Sequence, residues 1–290
     1  MDINLVNEIK FALKQNDLYF INRTQDYVIV NDDYRGVIIY TPLLEYADSY
    51  TLDNTKVIIV NSFVDSENNR IVLHLEAGLW YIDLNRHYSQ FIKYNFESEC
   101  IYILYFSVFK SESISLFANS LMIHWDFVDN NLSFTAIDRL SSSDELTLYR
   151  NWESEIKGVN SIGFIDNKWI VYEEDIEIYQ HNSLIRKFPM EYRKWYRFDM
   201  DGDYFIAIDE SILILTSLNN TRNRLKKIYV DKESCFGAVL IHDKHFSYLV
   251  VLIINERTGV SCLRSYNISN WCIYYNTYHK MKNDETIIIF

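Results

Sequence analysis

This chain has little of the residues that mark linkers, loops and secretion signals. Its 290 residues include only 7 Gly and 2 Pro, which excludes collagen-like and low-complexity classes. No segment reaches 18 consecutive apolar residues, so no membrane-spanning helix and no membrane partner are expected. The first ten residues carry acids and have no basic or apolar leader, which predicts a soluble, cytoplasmic protein.

Cysteine pairs and basic residues are also scarce. The four cysteines (100, 235, 262 and 272) form no C-x-x-C pair, so we expect reduced thiols, mostly buried. There are 28 Lys and Arg against 40 Asp and Glu, a net charge of −12. Such a balance argues against nucleic-acid binding, which needs a positive surface, and it suits a basic protein partner. Ordinary solubility explains the same charge equally well.

The chain is instead rich in residues that favour β-strands. It contains 23 Tyr and 17 Phe, and short apolar runs alternate with Asn, Asp, Ser and Glu turns from residue 18 onward. Only residues 2–15 show helical spacing, with Asp2 as a cap. The sequence therefore predicts a helix over 1–16 and a single β domain over 17–290.

One hairpin recurs along the chain. Residues 168–179 (KWIVYEEDIEIY) and 204–215 (YFIAIDESILIL) match without gaps, each as two apolar runs around an acidic pair. Counterparts of this turn lie near Asp33, Ala77, Asn119, Glu174, Glu210 and Arg257. A period of 40–50 residues with about four strands is typical of propeller blades.

Strands that are apolar on both faces support the same fold. Val57–Val60 and Tyr248–Ile254 are examples, and their hairpin-length connections exclude parallel crossovers. Antiparallel strands buried on both faces indicate sheets stacked like blades. The predicted fold is an all-β propeller of about six four-stranded blades, in which residues 285–290 join the first blade and residues 140–160 lengthen one connection between blades.

Motifs that carry chemistry are few. Asp199, Asp201 and Asp203 resemble part of a calcium loop, but Gly202 is in the wrong position, so a hairpin turn is favoured. His242 and His245 lack the further ligands that zinc needs, which favours a turn with two exposed imidazoles. No nucleophile or phosphate-binding motif is present. We expect no metal, no cofactor and no enzymatic activity.

The acidic turns remain as a candidate surface. In a four-stranded blade the second turn shares an edge with the links between blades. That edge is predicted to collect seven acidic residues that bind a basic partner: Glu173, Glu174, Asp175, Asp209, Glu210, Asp231 and Glu233. Asp32 and Asp33 extend the set. A merely solvated rim is the alternative, since turns are polar anyway.

The hairpin units at 71–84, 114–127, 169–179 and 205–215 resemble β-propeller blades. The wider profile, with its Asn, Ile, Tyr and Lys usage and its acidic balance, is similar to cytoplasmic immunity proteins of contact-dependent growth inhibition systems. That resemblance implies stoichiometric protein–protein interaction with a basic toxin domain, often a nuclease, by a toxin inhibitor. Two alternatives remain: a propeller that binds glycans or hydrolyses glycosides, and a scaffold without a single partner.

Overall fold

A computed structural model of the chain is almost entirely β-strand. The structure describes residues 4–11, 18–94, 106–118, 121–139, 161–165, 168–172, 175–180, 183–189, 197–202, 204–208, 212–218, 224–228, 233–243 and 245–269. Helical structure within these ranges is limited to one 3₁₀ turn, Ile137–Arg139. The strong β propensity of Tyr, Phe, Ile and Val therefore decides the fold class, as predicted.

The described residues form six four-stranded sheets, called sheets I to VI in chain order. Sheet I contains β2 (Ile21–Arg23), β3 (Val28–Asp32), β4 (Gly36–Tyr40) and β5 (Tyr46–Thr51). Sheet II contains β6 (Ile59–Asp65), β7 (Arg70–Leu75), β8 (Gly78–Asp83) and β9 (Tyr88–Lys93). Sheet III contains β10 (Phe106–Phe109), β11 (Ser113–Phe117), β12 (Leu121–Asp126) and β13 (Asn131–Ala136).

The second half of the chain repeats this arrangement. Sheet IV contains β14 (Ser161–Ile165), β15 (Lys168–Tyr172), β16 (Asp175–Gln180) and β17 (Ser183–Pro189). Sheet V contains β18 (Arg197–Asp201), β19 (Tyr204–Ile208), β20 (Ile212–Ser217) and β21 (Arg224–Ile228). Sheet VI contains β22 (Glu233–His242), β23 (Ser247–Asn255), β24 (Ser261–Asn267) and, as its outer strand, β1 (Asn4–Lys10).

The recurring hairpin is the pair of middle strands in each sheet. All six turns predicted from the sequence fall between a second and a third strand, for example between Asp32 and Gly36 and between Asn255 and Ser261. The middle strands pair antiparallel, for example β7 with β8 and β19 with β20. The predicted number of blades, about six, and the predicted position of the recurring turn between the second and third strands of each sheet are therefore confirmed.

The described chain clusters into two compact units. Unit 1 comprises residues 1–57, 174–177 and 186–290, and unit 2 comprises residues 58–173 and 178–185. In unit 1, one face of sheet VI packs on sheet V through Leu240 and Val251, and its other face packs on sheet I through Val239 and Val250. This alternation shows that the middle sheet is buried on both faces, as the two-sided apolar runs predicted.

Unit 2 stacks sheets II and III in the same way. Val72 and Tyr81 of sheet II meet Leu116 and Trp125 of sheet III in one apolar cluster. Strands β7 and β8 are buried along their whole length. By contrast, the fourth strand of sheet II, β9, is partly exposed throughout. The fourth strand of a sheet is thus its solvent edge.

The helix predicted over residues 1–16 is wrong where the structure describes it. Residues 4–10 form β1, which pairs antiparallel with β24 from Asn4 with Asn267 to Lys10 with Cys262. The pairing gives hydrogen-bond partners to the backbone groups on the otherwise open edge of β24, and Ile9 packs against the apolar cluster between sheets VI and I. These long-range contacts outweigh the weak helical pattern.

Other predictions meet the structure only in part. Residues 285–290, predicted to complete the first blade, and residues 140–160, predicted to lengthen one connection between blades, lie outside the described residues. Strand β5 was not predicted, because its sequence YADSYT is polar and it forms a largely exposed edge. The side chains of Cys235 and Cys262 are buried, as predicted for most of the cysteines.

Candidate protein-binding surface

The sequence prediction places an acidic surface on the edge of the sheets that carries their second turn. Strand β15 ends at Tyr172 and β16 begins at Asp175, so Glu173 and Glu174 connect the second and third strands of sheet IV. Asp209 and Glu210 occupy the same place in sheet V, and Asp231 precedes β22. These five acids lie outside the described residues. Two of the seven, Asp175 and Glu233, can be placed in detail.

Asp175 is held by a lysine of its own sheet. Lys187 Nζ on β17 lies 3.3 Å from Asp175 Oδ2 and 2.6 Å from Glu177 Oε1. Hydrogen bonds to Glu177 and Asp175 raise the pKa of the Lys187 amine. One cation thus serves two carboxylates, and because β17 also carries Arg186, the two strands together have two acidic and two basic side chains and no excess charge.

Glu233 is held more firmly by an arginine. Arg264 donates two hydrogen bonds to Glu233, of 3.2 and 3.0 Å, and a third of 2.6 Å from Nε to Glu8 Oε2. The hydrogen bond from Arg264 lowers the pKa of Glu8. This triad ties β1, β24 and the start of β22 together across sheet VI, so Glu233 has a structural role whatever else it contacts.

The same edge carries acids that the sequence prediction treated only as extensions or missed. In sheet I, Asp32 pairs with Arg35 at 2.9 Å, and Asp33 adopts a left-handed φ of 53° in the turn. Asp53 is exposed beside that turn. In sheet VI, Glu256 of the second turn accepts a short hydrogen bond from Ser234. Its position in a second turn was the sequence signal that could have identified Glu256 as an acid of this edge.

Cations also lie on this edge. Lys56 Nζ stands 4.3 Å from the centroid of the Tyr34 ring, and Tyr34 stacks on Tyr19 at 5.9 Å. Arg257 is exposed in the second turn of sheet VI. The described part of the edge is therefore mixed in charge, and the prediction of a negative edge depends on the five acids at 173, 174, 209, 210 and 231, which lie outside the described residues.

The DMDGD segment is a hairpin turn, as predicted. Asp201 pairs with Tyr204, and Gly202 has the left-handed φ of 54° that such a turn needs. Its first aspartate has a role that the motif did not reveal. Asp199 is 6% exposed, and Arg23 binds it through Nε at 3.1 Å and through Nη2 at 3.3 Å.

This pair bears on the glycoside alternative, which requires an arginine and carboxylates open to a sugar. Arg23 also donates to the Met200 carbonyl at 2.7 Å, and the Leu240 N–H donates to Asp199 at 2.7 Å. Burial raises the pKa of the Asp199 carboxyl, and Arg23 opposes that rise. Both side chains are buried and bind each other, so this pair is part of the core.

His242 and His245 lie at the turn between β22 and β23. Asp243 Oδ1 accepts the N–H groups of His245 and Phe246 at 2.7 Å, which shapes the turn, while His242 Nδ1 lies 3.1 Å from Ser247 Oγ. Within the part of the chain that the structure describes, no three His, Cys, Asp or Glu side chains are grouped to hold a metal ion.

Among the described residues, no helix has the length and apolarity to span a membrane.

Comparisons with known proteins show the fold. No protein-family model matches the sequence, and no curated protein matches it. Among solved structures, the chain is similar to Kluyveromyces lactis Hsv2 with loop 6CD replaced by a Gly-Ser linker, at a TM-score of 0.50 and 14% identity over 86% of this chain and 97% of that one. It is also similar to Kluyveromyces marxianus Hsv2, at a TM-score of 0.50 and 11% identity over 84% and 90%.

Hsv2 is a β-propeller, and the likeness at such low identity concerns the fold alone. Together with the six four-stranded antiparallel sheets, it defines the class of this protein. The chain is an all-β propeller protein with blade-like sheets, as the repeated hairpin predicted.

Proposed function

We propose that this propeller is a non-enzymatic binding protein whose acidic second-turn edge docks a basic protein. The observation that carries the proposal is the coincidence of a net charge of −12 with acidic pairs repeated at the same turn of successive sheets. Carboxylates at an exposed edge attract a basic partner over distances of about 10 Å and accelerate its encounter. Specific contacts then fix the complex.

The kind of partner follows from the resemblance to immunity proteins. A basic toxin domain, such as a nuclease, presents a positive cleft because its substrate is negatively charged. An acidic propeller edge placed over that cleft excludes the substrate without any chemistry of its own. We therefore propose an immunity protein of a contact-dependent growth inhibition system, acting in the cytoplasm.

The first test uses the protein encoded beside this gene, since toxins and their inhibitors are usually encoded together. Its purified domain is titrated with this chain by calorimetry at about 50 and about 200 mM salt. We expect a one-to-one complex that weakens with salt, because screening shortens the reach of the charges. A neighbouring product that is basic and does not bind would contradict the immunity function.

Charge reversal then locates the surface. Glu173→Lys with Glu174→Lys, and Asp209→Lys with Glu210→Lys, should each weaken binding by at least about tenfold. The control is Asp26→Lys with Glu45→Lys, which makes the same change of charge at exposed turns on the opposite edge of sheet I. If the control and the test pairs weaken binding equally, only the net charge matters and the edge has no special role.

A further inference from the structure

Two exposed apolar side chains mark the opposite edge of unit 2. Val128, in the turn between β12 and β13, is 69% exposed, and Tyr88, at the start of β9, is 45% exposed. They are connected through buried rings: Tyr88 lies 6.3 Å from Tyr81, and Tyr81 stacks at 3.9 Å on Phe127, the neighbour of Val128. Turns favour Gly, Asn and Asp, so turn geometry does not account for an exposed valine.

These side chains belong to a surface made of four turns, residues 65–70, 83–88, 110–112 and 126–131, which we call the four-turn face. Arg70 donates to the carbonyls of Lys110 and Ser111 at 3.0 and 2.8 Å, joining the first turn to the third. Asn85 donates to the Asn68 carbonyl at 3.1 Å. The face is therefore held in shape before any partner arrives.

Charge on the four-turn face is predominantly negative. Its turns contain six carboxylates and three cations: Asp65, Glu67, Asp83, Glu112, Asp126 and Asp129 against Arg70, Arg86 and Lys110. Arg70 and Arg86 are already paired, with Asp65 and Asp83. Glu67, Glu112 and Asp129 are exposed, and no described cation pairs with them. The unneutralised charge thus lies on turns of the same face as the exposed apolar pair.

We propose that the four-turn face is a second docking surface, occupied by a basic protein segment that places an apolar side chain against Tyr88 and Val128. An apolar centre within a charged rim is the usual anatomy of a protein interface, and aromatic residues at such centres contribute most of the affinity. The carboxylates of the rim select a segment rich in Lys and Arg. The inference rests on the proposed function only for the basic character of the partner.

The test uses a defined probe, a fluorescein-labelled 12-residue peptide of Lys and Arg with two central Phe, and a second peptide with Ser in place of Phe. Val128→Ser and the pair Glu67→Lys, Asp129→Lys are compared with Val60→Ser and Glu76→Lys. Val60 is 54% exposed and Glu76 is exposed, both toward the second-turn side of unit 2, so Val60→Ser repeats the Val128 change elsewhere and Glu76→Lys repeats one of the two charge reversals. All positions are exposed, and urea midpoints confirm that each variant folds.

We expect the Phe peptide to bind at least fivefold more tightly than the Ser peptide. Val128→Ser and the Glu67, Asp129 variant should weaken the Phe peptide at least fivefold, while the two controls stay within twofold. Equal binding of the two peptides, or equal loss in test and control variants, overturns the second surface. If only the Glu173, Glu174, Asp209 and Glu210 variants lose the probe, the proposed function stands without the second surface. If neither peptide binds the unaltered chain, the second surface is overturned, and the proposed function is decided separately by the titration with the neighbouring gene product.

Discussion

Arg23 and Asp199 lie 176 positions apart in the sequence and form a buried ion pair between the first strands of two sheets in unit 1. The Asp199 carboxylate also accepts the Leu240 N–H from the first strand of sheet VI. Three sheets thus meet at one carboxylate. Because a propeller has no helix to bind its sheets together, such contacts between first strands specify how neighbouring sheets stack.

Removing either partner of this pair should destabilise the fold. Asp199→Asn leaves Arg23 buried without a counter-charge, which typically costs about 3–5 kcal/mol of unfolding free energy. Urea unfolding followed by Trp fluorescence measures the change. The matched control is Arg35→Ala: its guanidinium is 64% exposed beside Asp32, and such surface pairs contribute about 0–1 kcal/mol.

A double variant separates the charge from the packing. Arg23→Met with Asp199→Leu replaces the pair by apolar side chains, so no charge is left unpaired and the loss should be smaller than in Asp199→Asn. Additive losses in the double variant would mean that the two side chains stabilise the fold independently, contrary to the structure.

Glycine at the start of a third strand is required by the close approach of the fourth strand. A Cβ added to Gly36 would lie 1.9 Å from the Tyr50 carbonyl oxygen, and one added to Gly78 would lie 2.1 Å from the Ile92 carbonyl oxygen. Backbone must move to relieve such overlap, so Gly36→Ala or Gly78→Ala should cost about 1–3 kcal/mol or more.

Gly202 provides the control for these two variants. It has a left-handed φ of 54°, yet nothing lies within 4 Å of its added Cβ. Gly202→Ala therefore meets only backbone strain of about 1–2 kcal/mol. Thermal unfolding of all three variants ranks their losses of stability. A larger loss of stability for Gly202→Ala than for Gly36→Ala would contradict the steric explanation.

The repeat could be predicted because it is local. Each middle hairpin, such as 168–179, carries its own apolar runs and turn, so sequence alone located every second turn. The position of β1 could not be predicted in this way, because its partner β24 lies more than 250 residues away. The same is true of Asp199, whose motif predicted a turn while its partner Arg23 is remote.

The acidic surface shows a similar limit. Turn position predicts which carboxylates lie on one edge, but no sequence pattern indicates that Glu233 is bound by Arg264 or Asp175 by Lys187. Lys187 lies on the neighbouring strand β17, whereas Arg264 lies on β24 and reaches Glu233 of β22 across β23, so their reach depends on side-chain direction rather than on spacing. Hairpin patterns therefore predict where charge lies better than they predict which charges remain unpaired.

Strand β1 should be essential to sheet VI. Ile9→Pro removes a backbone donor next to β24 in a paired stretch, where Ile9 faces Leu263. We expect a loss of about 3 kcal/mol and faster proteolysis of the N-terminal segment. Val6→Pro is the control, because Val6 sits at the bulge between Leu5 and Asn7 and is 44% exposed. Equal sensitivity of the two variants would mean that β1 contributes little to the sheet.

His74 should make stability fall in mild acid. Its ring is 1% exposed, and neither ring nitrogen has a hydrogen-bond partner among the described residues. Burial lowers the pKa of His74 from 6.5 to about 4. As the pH falls below 6.5 the unfolded chain takes up the proton first, so the contribution of neutral His74 to stability is full above pH 6.5 and declines down to about pH 4. The slope is about 1.4 kcal/mol per pH unit, or about 3 kcal/mol in total.

The variant that isolates this effect is His74→Leu. It removes the titrating group and two unsatisfied polar atoms, so its stability above pH 7 should equal or exceed that of the unaltered chain. Urea midpoints measured from pH 8 to pH 4 should separate as the pH falls, with the variant the more stable, and they should run parallel above pH 7. Because carboxylates titrate in both proteins, only the difference between them reports His74. Parallel curves over the whole range would show that another group causes the acid sensitivity.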